Sequence, residues 1–261
     1  MPKGKYYADL TTRSEALQTR LAINSQLGAR DFDSWVITQL QPELGEYILD
    51  IGCGTGKFAI PCSQIVGDKG GVVGLDTSEE SLAKLKTESE ARGLRITTIH
   101  TQMENLAEHI NKGIFDAALS SYALYYSEQP EQTISDIHRS LKTHGRLLVV
   151  GPDRGNNREL LNFLKPLTNI TETSLYNQDF TYKVVIPACR RLFKKVETGY
   201  FENPVTFPSA QLLLKYWQSG GYYRPEVEER VQKAVIAYFS ENTEFILHKR
   251  AVSVLATGVK V

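Results

Sequence analysis

Four residues in the first third of the chain have the types and spacing of a nucleoside-binding site. Gly52, Gly54 and Gly56 follow a short apolar run, and Asp76 comes twenty residues after the last of them. Glycine lets the backbone turn sharply and approach a ligand closely, because no Cβ stands in the way. The carboxylate of Asp76 can accept hydrogen bonds from both hydroxyls of a ribose ring. The pattern predicts an adenosine-type cofactor, although Asp76 is also well placed to cap the next helix.

The spacing of the glycines separates two classes of cofactor. A dinucleotide site has the pattern G-x-G-x-x-G, whereas here the third glycine comes one residue early and Lys57 occupies its usual place. This spacing disfavours a nicotinamide oxidoreductase. The stretch YILDIGCGTGK, with Asp50 two residues before the first glycine, resembles motif I of the class I S-adenosylmethionine-dependent methyltransferases. The resemblance implies S-adenosyl-L-methionine as methyl donor and S-adenosyl-L-homocysteine as product.

The resemblance also implies cofactor contacts at the ends of the following strands. In that family the third strand usually ends in an aspartate that binds the adenine amino group, and Gln102 stands there in this chain. Its side-chain oxygen can accept the same hydrogen bond. Met103 is expected either against the adenine ring or in ordinary packing. The expected cofactor-binding residues are Asp50, Gly52, Cys53, Gly54, Gly56, Asp76, Thr77, Gln102, Met103, Glu104, Ser120 and Ser121.

Alternating strands and helices must position these residues. Strands are predicted at 47–51, 71–76, 96–101, 115–121, 146–150, 194–203 and 245–256. A turn is expected at 142–145, and the polar stretch that ends near Asp179 is expected to be partly irregular. The resemblance implies an α/β fold with a Rossmann-like, seven-stranded, mostly parallel sheet, helices on both faces and an N-terminal helical lid. We predict a single domain, with the lid at 1–45, a cofactor-binding half at 46–152 and a C-terminal half at 153–261 that contributes to the acceptor pocket.

Aromatic side chains are the candidates for the acceptor pocket. In open α/β sheets ligands bind at the carboxyl ends of the strands, so residues after the fourth strand should face the transferred methyl group. Aromatic faces attract a sulfonium as they attract an ammonium. Core packing is the alternative role for each candidate. The candidates are Tyr122, Tyr125 and Tyr126 after the fourth strand, Tyr216 and Trp217 in a late helix, and Tyr7 in the N-terminal segment.

Composition disfavours several classes of protein. Thirty basic and thirty acidic residues give zero net charge, so no overall field attracts nucleic acid or an anionic membrane. Three widely spaced cysteines predict reduced thiols, and we predict no metal site. The start of the chain lacks the apolar region of a secretory signal, and no apolar run has membrane-spanning length, which favours a cytoplasmic protein.

These patterns predict methyl transfer from S-adenosylmethionine to a small-molecule acceptor, at oxygen, nitrogen or carbon. The transfer is a direct displacement, so we expect proximity and orientation to drive it. Family members with small acceptors often have two histidines where this chain has Tyr125 and Tyr126, and we therefore assign no catalytic residue. A protein or peptide methyltransferase and a non-catalytic S-adenosylmethionine-binding protein are the alternatives. The acceptor, the need for a general base and the oligomeric state are left open.

Overall fold

Seven strands form one sheet in the computed structural model, which describes residues 14–168 and 176–260. Their spatial order is β3-β2-β1-β4-β5-β7-β6. The strands are β1 Tyr47–Ile51, β2 Gly71–Asp76, β3 Ile96–His100, β4 Phe115–Ser121, β5 Leu141–Pro152, β6 Phe193–Phe207 and β7 Phe245–Val259. The predicted seven-stranded α/β fold is thereby confirmed.

The first five strands pair in parallel, and β1 lies where their order reverses. It pairs with β2 on one side and with β4 on the other, so that Ile48 lies opposite Val72 and Ala117. The last strand, β7, is antiparallel to β5, which makes the sheet mostly rather than wholly parallel. Open α/β sheets bind ligands outside the carboxyl ends of their strands at such a reversal. The carboxyl ends of β1 and β4 are therefore the expected position of the site.

Helices connect the strands, and several begin or end at residues with recognisable capping chemistry. Ser78 Oγ accepts a hydrogen bond from the backbone N–H of Ser81 at 3.2 Å, and Ser209 begins a later helix in the same way. Gly93, at φ +65°, follows the end of the helix that Ser78 caps. The described α-helices are α1 Ser14–Leu27, α2 Phe32–Leu40, α3 Ala59–Val66, α4 Glu79–Ala91, α5 Leu106–His109, α6 Pro130–Ser140, α7 Arg158–Leu164, α8 Tyr176–Phe180, α9 Ile186–Leu192, α10 Ala210–Gln218 and α11 Glu228–Glu241.

One stretch differs from the sequence prediction, and a second contains a helix that the sequence pattern did not predict. Residues 142–145 lie within β5 rather than in a turn before it, and they form a bulge opposite Asp116 of β4. The Nζ atom of Lys142 is 2.7 Å from Asp116 Oδ1, which anchors the bulge. The second stretch, 176–192, is helical throughout, with a π-helical turn at Thr181–Val185. A π turn breaks the 3.6-residue period, which explains why the apolar pattern did not indicate a helix.

Contacts group the described residues into two compact units. They comprise residues 14–31, 155–168 and 202–250 for the first unit, and 32–154, 176–201 and 251–260 for the second. The first unit has its own apolar core, which includes Leu164, Leu213 and Trp217. In the second unit the neighbours Ile48 and Leu49 belong to different apolar clusters, because successive strand residues point to opposite faces of the sheet. Within the described ranges, every helix is too short or too polar to cross a membrane.

Candidate active site

The three glycines after β1 all have positive φ, but only one of them borders free space. Their φ values are +73° at Gly52, +53° at Gly54 and +90° at Gly56. A Cβ on Gly52 would lie 2.2 Å from Ala123 Cβ, and one on Gly56 would lie 2.3 Å from Leu85 Cδ1. A Cβ on Gly54 would meet no described atom within 4 Å. Packing therefore requires glycine at 52 and 56, whereas Gly54 leaves space for a ligand beside the backbone.

The carboxylate of Asp76, at the end of β2, holds the glycine loop. Its Oδ2 accepts a hydrogen bond from the backbone N–H of Gly54 at 2.8 Å, and its Oδ1 accepts one from Ser78 at 2.9 Å. The second bond supports the start of α4, which was the alternative role for Asp76. Each carboxylate oxygen can accept two hydrogen bonds, so capacity is left for ribose hydroxyls. Ser78 rather than Asp76 is the N-cap of α4, and Asp76 keeps acceptor capacity for its predicted cofactor role.

Two buried polar atoms beside the loop have no hydrogen-bond partner among the described residues. They are Asp50 Oδ2 in β1 and Ser120 Oγ in β4. Burial, together with the nearby charge of Asp76, raises the pKa of Asp50 to about 7, although the backbone N–H of Ala59 partly offsets both effects. Buried polar atoms are normally paired. An unpaired, buried carboxylate oxygen at this strand end therefore suits a ligand that carries positive charge or an N–H donor.

The remaining predicted cofactor residues lie at the same strand ends with different exposure. Cys53 is buried, and its backbone N–H donates to Leu75 O at 3.1 Å. Thr77 and Gln102 are exposed, whereas Met103 and Ser121 are half-buried. Exposure leaves the side chains of Thr77 and Gln102 accessible to a ligand, and their roles stay predictions.

Glu104 bonds to the chain that follows β4. Its Oε1 accepts hydrogen bonds from Ser127 Oγ at 2.6 Å and from the backbone N–H of Glu128 at 2.8 Å. Burial raises its pKa, but the hydrogen bonds from Ser127 and from backbone N–H groups outweigh burial and hold the pKa below its ordinary value. The charged carboxylate therefore fixes the segment that carries the candidate tyrosines.

The three tyrosines after β4 have different environments. Tyr122 has φ +55°, and its N–H donates to Val150 O at 2.8 Å. Such strain in a residue other than glycine is typical of functional sites. Tyr125 is 9% exposed, and its ring lies 6.3 Å from that of Phe180, whereas Tyr126 is 44% exposed. Tyr125 thus belongs to the core, while Tyr122 and Tyr126 keep surface for a ligand.

The aromatic candidates in α10 are core residues of the first unit. Trp217 is 1% exposed, and its Nε1–H donates to Tyr222 O at 3.0 Å. The Tyr216 hydroxyl, also buried, accepts from Lys249 Nζ at 3.0 Å. These satisfied polar atoms favour the packing alternative for both residues. The remaining candidate, Tyr7, lies outside the described residues.

Asp153 and Tyr182 form a polar pair that the sequence pattern does not predict. Asp153 directly follows β5, and the hydroxyl of Tyr182 donates to its Oδ1. The guanidinium carbon of Arg154 lies 4.3 Å from the ring centre of Tyr182, and its Nε is 2.8 Å from Asp179 Oδ1. The position of Asp153 just beyond a parallel strand was the available signal, whereas Tyr182 lies in the unpredicted helical segment.

The residues at these strand ends fit S-adenosylmethionine. The backbone at Gly54 leaves space, Asp76 keeps acceptor capacity for two ribose hydroxyls, and Asp50 has an unpaired oxygen for a positively charged donor. Among the described residues, no group of three or more His, Cys, Asp and Glu side chains could hold a metal ion.

Comparison with known proteins agrees with this chemistry. A methyltransferase domain family matches residues 43–220. A demethylmenaquinone methyltransferase of Lactococcus lactis subsp. lactis is 25% identical over 232 residues, which are 85% of this chain and 84% of that protein. A 2-phytyl-1,4-naphtoquinone methyltransferase of Nostoc sp. is 27% identical over 158 residues, 60% of this chain and 62% of that protein. A solved S-adenosylmethionine-dependent methyltransferase from Aquifex aeolicus shares the fold, with a TM-score of 0.57 at 13% identity over 94% of this chain and 98% of that one.

The family match covers more than half of the chain and includes the glycine loop, Asp76 and all of β1 to β5. The fold, the strand-end glycines and the relatives therefore agree on both the cofactor and the reaction type. The chain belongs to the methyltransferase domain family and is a class I S-adenosylmethionine-dependent methyltransferase.

Proposed function

We propose that this methyltransferase acts on a small hydroxylated aromatic acceptor, the reduced form of a quinone. The observation that carries the proposal is the similarity to a demethylmenaquinone methyltransferase along most of both chains. The relative from Nostoc, whose name contains a naphthoquinone, supports the same class of acceptor. In this chain Tyr122 and Tyr126 offer aromatic surface at the end of β4, against which a flat ring can pack.

The reduced ring is the form that suits the reaction. When bound, S-adenosylmethionine supplies an electrophilic methyl carbon on a cationic sulfur. A quinone ring is electron-poor, whereas its dihydroxy form has nucleophilic hydroxyl oxygens and nucleophilic ring carbons beside them. The residues at the strand ends then have to hold the acceptor ring, align it with the donor and keep water away.

A transfer assay tests the proposal. The purified protein is incubated under reducing conditions with methyl-labelled S-adenosylmethionine and either 1,4-dihydroxynaphthalene or a short-chain demethylmenaquinol. We expect labelled, extractable product from at least one quinol and none with the Asp76→Ala variant, which loses the carboxylate that we predict to bind the ribose. Mass spectrometry of the product identifies the methylated atom.

Two outcomes of this assay would contradict the proposal. Label that enters a peptide mixture and neither quinol would indicate a protein methyltransferase. Binding of S-adenosylmethionine without transfer to quinols or peptides would indicate a non-catalytic binding protein.

A further inference from the structure

We propose that Asp153, positioned by Tyr182, binds a hydroxyl group of the acceptor and takes its proton. This inference rests on the proposed function, since it requires a hydroxylated acceptor. It assigns a base to the reaction, which the sequence left without one.

Asp153 lies at the carboxyl edge of the sheet, together with the donor loop. It follows β5, which runs parallel to β4, and Ser121 at the end of β4 pairs with Val150 of β5. The backbone N–H of Tyr122 donates to Val150 O at 2.8 Å, so the two strand ends are level. The glycine loop follows β1, the neighbour of β4 on its other side. The donor loop, Tyr122 and Asp153 therefore follow the adjacent parallel strands β1, β4 and β5 of the second unit and lie at the same carboxyl edge of the sheet.

The carboxylate of Asp153 is held at one oxygen and retains the capacity to bind at the other. The hydroxyl of Tyr182 donates to Oδ1. A carboxylate offers about four acceptor positions, so Oδ2 can accept a substrate hydroxyl. Asp153 is half-buried, which strengthens such a bond relative to one in open water.

The backbone conformation around Tyr182 orients its side chain towards Asp153. Tyr182 lies in the π-helical turn Thr181–Val185, an irregularity that is frequent at functional sites. A Cβ on Gly151 of β5 would lie 3.3 Å from Thr181 Oγ1, so this glycine lets the turn pack closely on the end of the strand. The close packing of the turn on the end of β5 therefore places Tyr182 next to Asp153.

The charges around the pair leave the proton on the phenol. Burial raises the pKa of Tyr182, and its hydrogen bonds to Asp153 and Tyr200 raise it further. Arg154 forms an ion pair with Asp179, and the Oδ2 atom of Asp179 also lies 2.6 Å from the Nζ of Lys183. Tyr182 therefore acts as a neutral donor that orients Asp153, and the carboxylate is the group able to take a proton.

The proton step balances without a further reactant. The O–H bond of the acceptor breaks, its electron pair stays on the acceptor oxygen, and the proton passes to Asp153 Oδ2, from which solvent removes it. Ionisation makes that oxygen and the ring carbon ortho to it more nucleophilic. Methylation at oxygen then needs no further step, whereas methylation at carbon is completed when the C–H bond of that carbon breaks, its electron pair returns to the ring and the proton leaves to solvent. General bases of this kind contribute about 10²–10⁴-fold to the rate.

Binding of two probe molecules tests the recognition step. Wild-type protein and Asp153→Asn are titrated anaerobically with 1,4-dihydroxynaphthalene and with 1,4-dimethoxynaphthalene, in the presence of S-adenosylhomocysteine. The wild type should prefer the dihydroxy probe, and Asp153→Asn should reduce its affinity for that probe about tenfold with little change for the dimethoxy probe. Glu131→Gln is the matched control, because this carboxylate is 62% exposed and pairs only with Arg191 among the described residues.

Rates test the proton step. Asp153→Asn should lower kcat at least about hundredfold with 1,4-dihydroxynaphthalene. Tyr182→Phe keeps the ring beside Arg154 but removes the donated hydrogen bond, so the acidic limb of the pH–rate profile should move to higher pH, with the rate recovering in alkali. A merely structural role would lower the rate equally at every pH. The Tyr182→Phe profile also serves as the test if Asp153→Asn does not fold.

The outcomes separate this proposal from the proposed function. If the wild type methylates the dihydroxy probe while Asp153→Asn keeps its affinity and kcat within threefold, Asp153 is not the base, and the quinol function stands. A wild-type protein that methylates neither 1,4-dihydroxynaphthalene nor the short-chain demethylmenaquinol overturns both proposals. Unchanged affinity for S-adenosylhomocysteine in each variant shows that any loss does not come from damage to the donor site.

Discussion

The strand ends of the second unit and helix α10 of the first unit both carry aromatic residues and buried polar atoms, but they differ in pairing. At β1, Asp50 Oδ2 is buried without a partner among the described residues. In α10, Trp217 Nε1 donates to Tyr222 O, and the Tyr216 hydroxyl accepts from a lysine. An unpaired buried polar atom costs free energy, and a bound ligand can remove that cost. Pairing, rather than burial, therefore separates Asp50 from Tyr216 and Trp217, since all three side chains are buried.

Alanine substitutions at Gly52 and Gly54 should give the largest expected effects, with Gly52→Ala mainly lowering stability and Gly54→Ala mainly lowering cofactor affinity. Gly52→Ala places a Cβ 2.2 Å from Ala123 Cβ at φ +73°, so the free energy of unfolding should fall by about 3 kcal/mol. Gly54→Ala should cost only about 1 kcal/mol, because its Cβ enters free space, but should weaken S-adenosylmethionine binding about tenfold. Urea unfolding and calorimetric titration measure the two effects. Equal losses of stability would contradict the division of the loop into packing and ligand positions.

Asp76→Ala tests the ligand edge directly. We expect affinity for S-adenosylmethionine to fall about hundredfold, or about 2.7 kcal/mol, since the variant loses both the ribose acceptor and the bond to Gly54. Asp68→Ala removes an exposed carboxylate just before β2 and serves as the matched control. Titration calorimetry gives both values, and an unchanged affinity in Asp76→Ala would remove this residue from the site.

Asp50→Asn should increase the unfolding free energy of the ligand-free protein by about 2 kcal/mol at pH 8. Burial raises the pKa of Asp50 from 3.8 to about 7, so between these values the folded chain binds more protons than the unfolded chain. The wild-type unfolding free energy therefore falls as pH rises through this window. One pKa unit corresponds to about 1.4 kcal/mol, and the buried amide, itself incompletely paired, offsets part of the gain.

The measurement for Asp50→Asn is urea unfolding at pH 5 and pH 8. The stability difference between variant and wild type should be small at pH 5 and grow towards pH 8. We expect the affinity of the wild type for S-adenosylmethionine to increase with pH, because a cation favours the ionised carboxylate, and we expect the variant to lack this increase. Parallel pH curves for the two proteins would contradict the buried, unpaired state of Asp50.

Trp217→Phe probes the paired region and should have the smallest effect. Phenylalanine loses the hydrogen bond from Nε1–H to Tyr222 O and fills less volume, so we expect a loss of about 1 kcal/mol in unfolding free energy. Affinity for S-adenosylmethionine and KM for the acceptor should stay unchanged. An increase of more than threefold in the KM for the acceptor, without loss of stability, would indicate that Trp217 lines the acceptor pocket.

The sequence predicts the features that depend on neighbouring residues, and it misses those that depend on distant pairing. The glycine loop and the helix that begins shortly after Asp76 are local patterns, and the structure has both. The bulge at 142–145 depends on its pairing with β4, and Tyr182 lies in a π turn that hides the helical period. The burial of Tyr125 and the satisfied N–H of Trp217 depend on partners that residue type alone does not reveal.

The alkylation rates of the three cysteine thiols can report local opening of the folded chain. Cys53, Cys62 and Cys189 are 6%, 1% and 0% exposed, and burial raises the pKa of each thiol, that of Cys189 to about 12. Thiolate is the reactive form, so an alkylating reagent can modify these sulfurs only after the surrounding segment opens. Because Cys53 lies in the glycine loop, Cys62 in α3 and Cys189 in α9, the order of alkylation reports which segment opens first, and a bound cofactor should delay Cys53 the most.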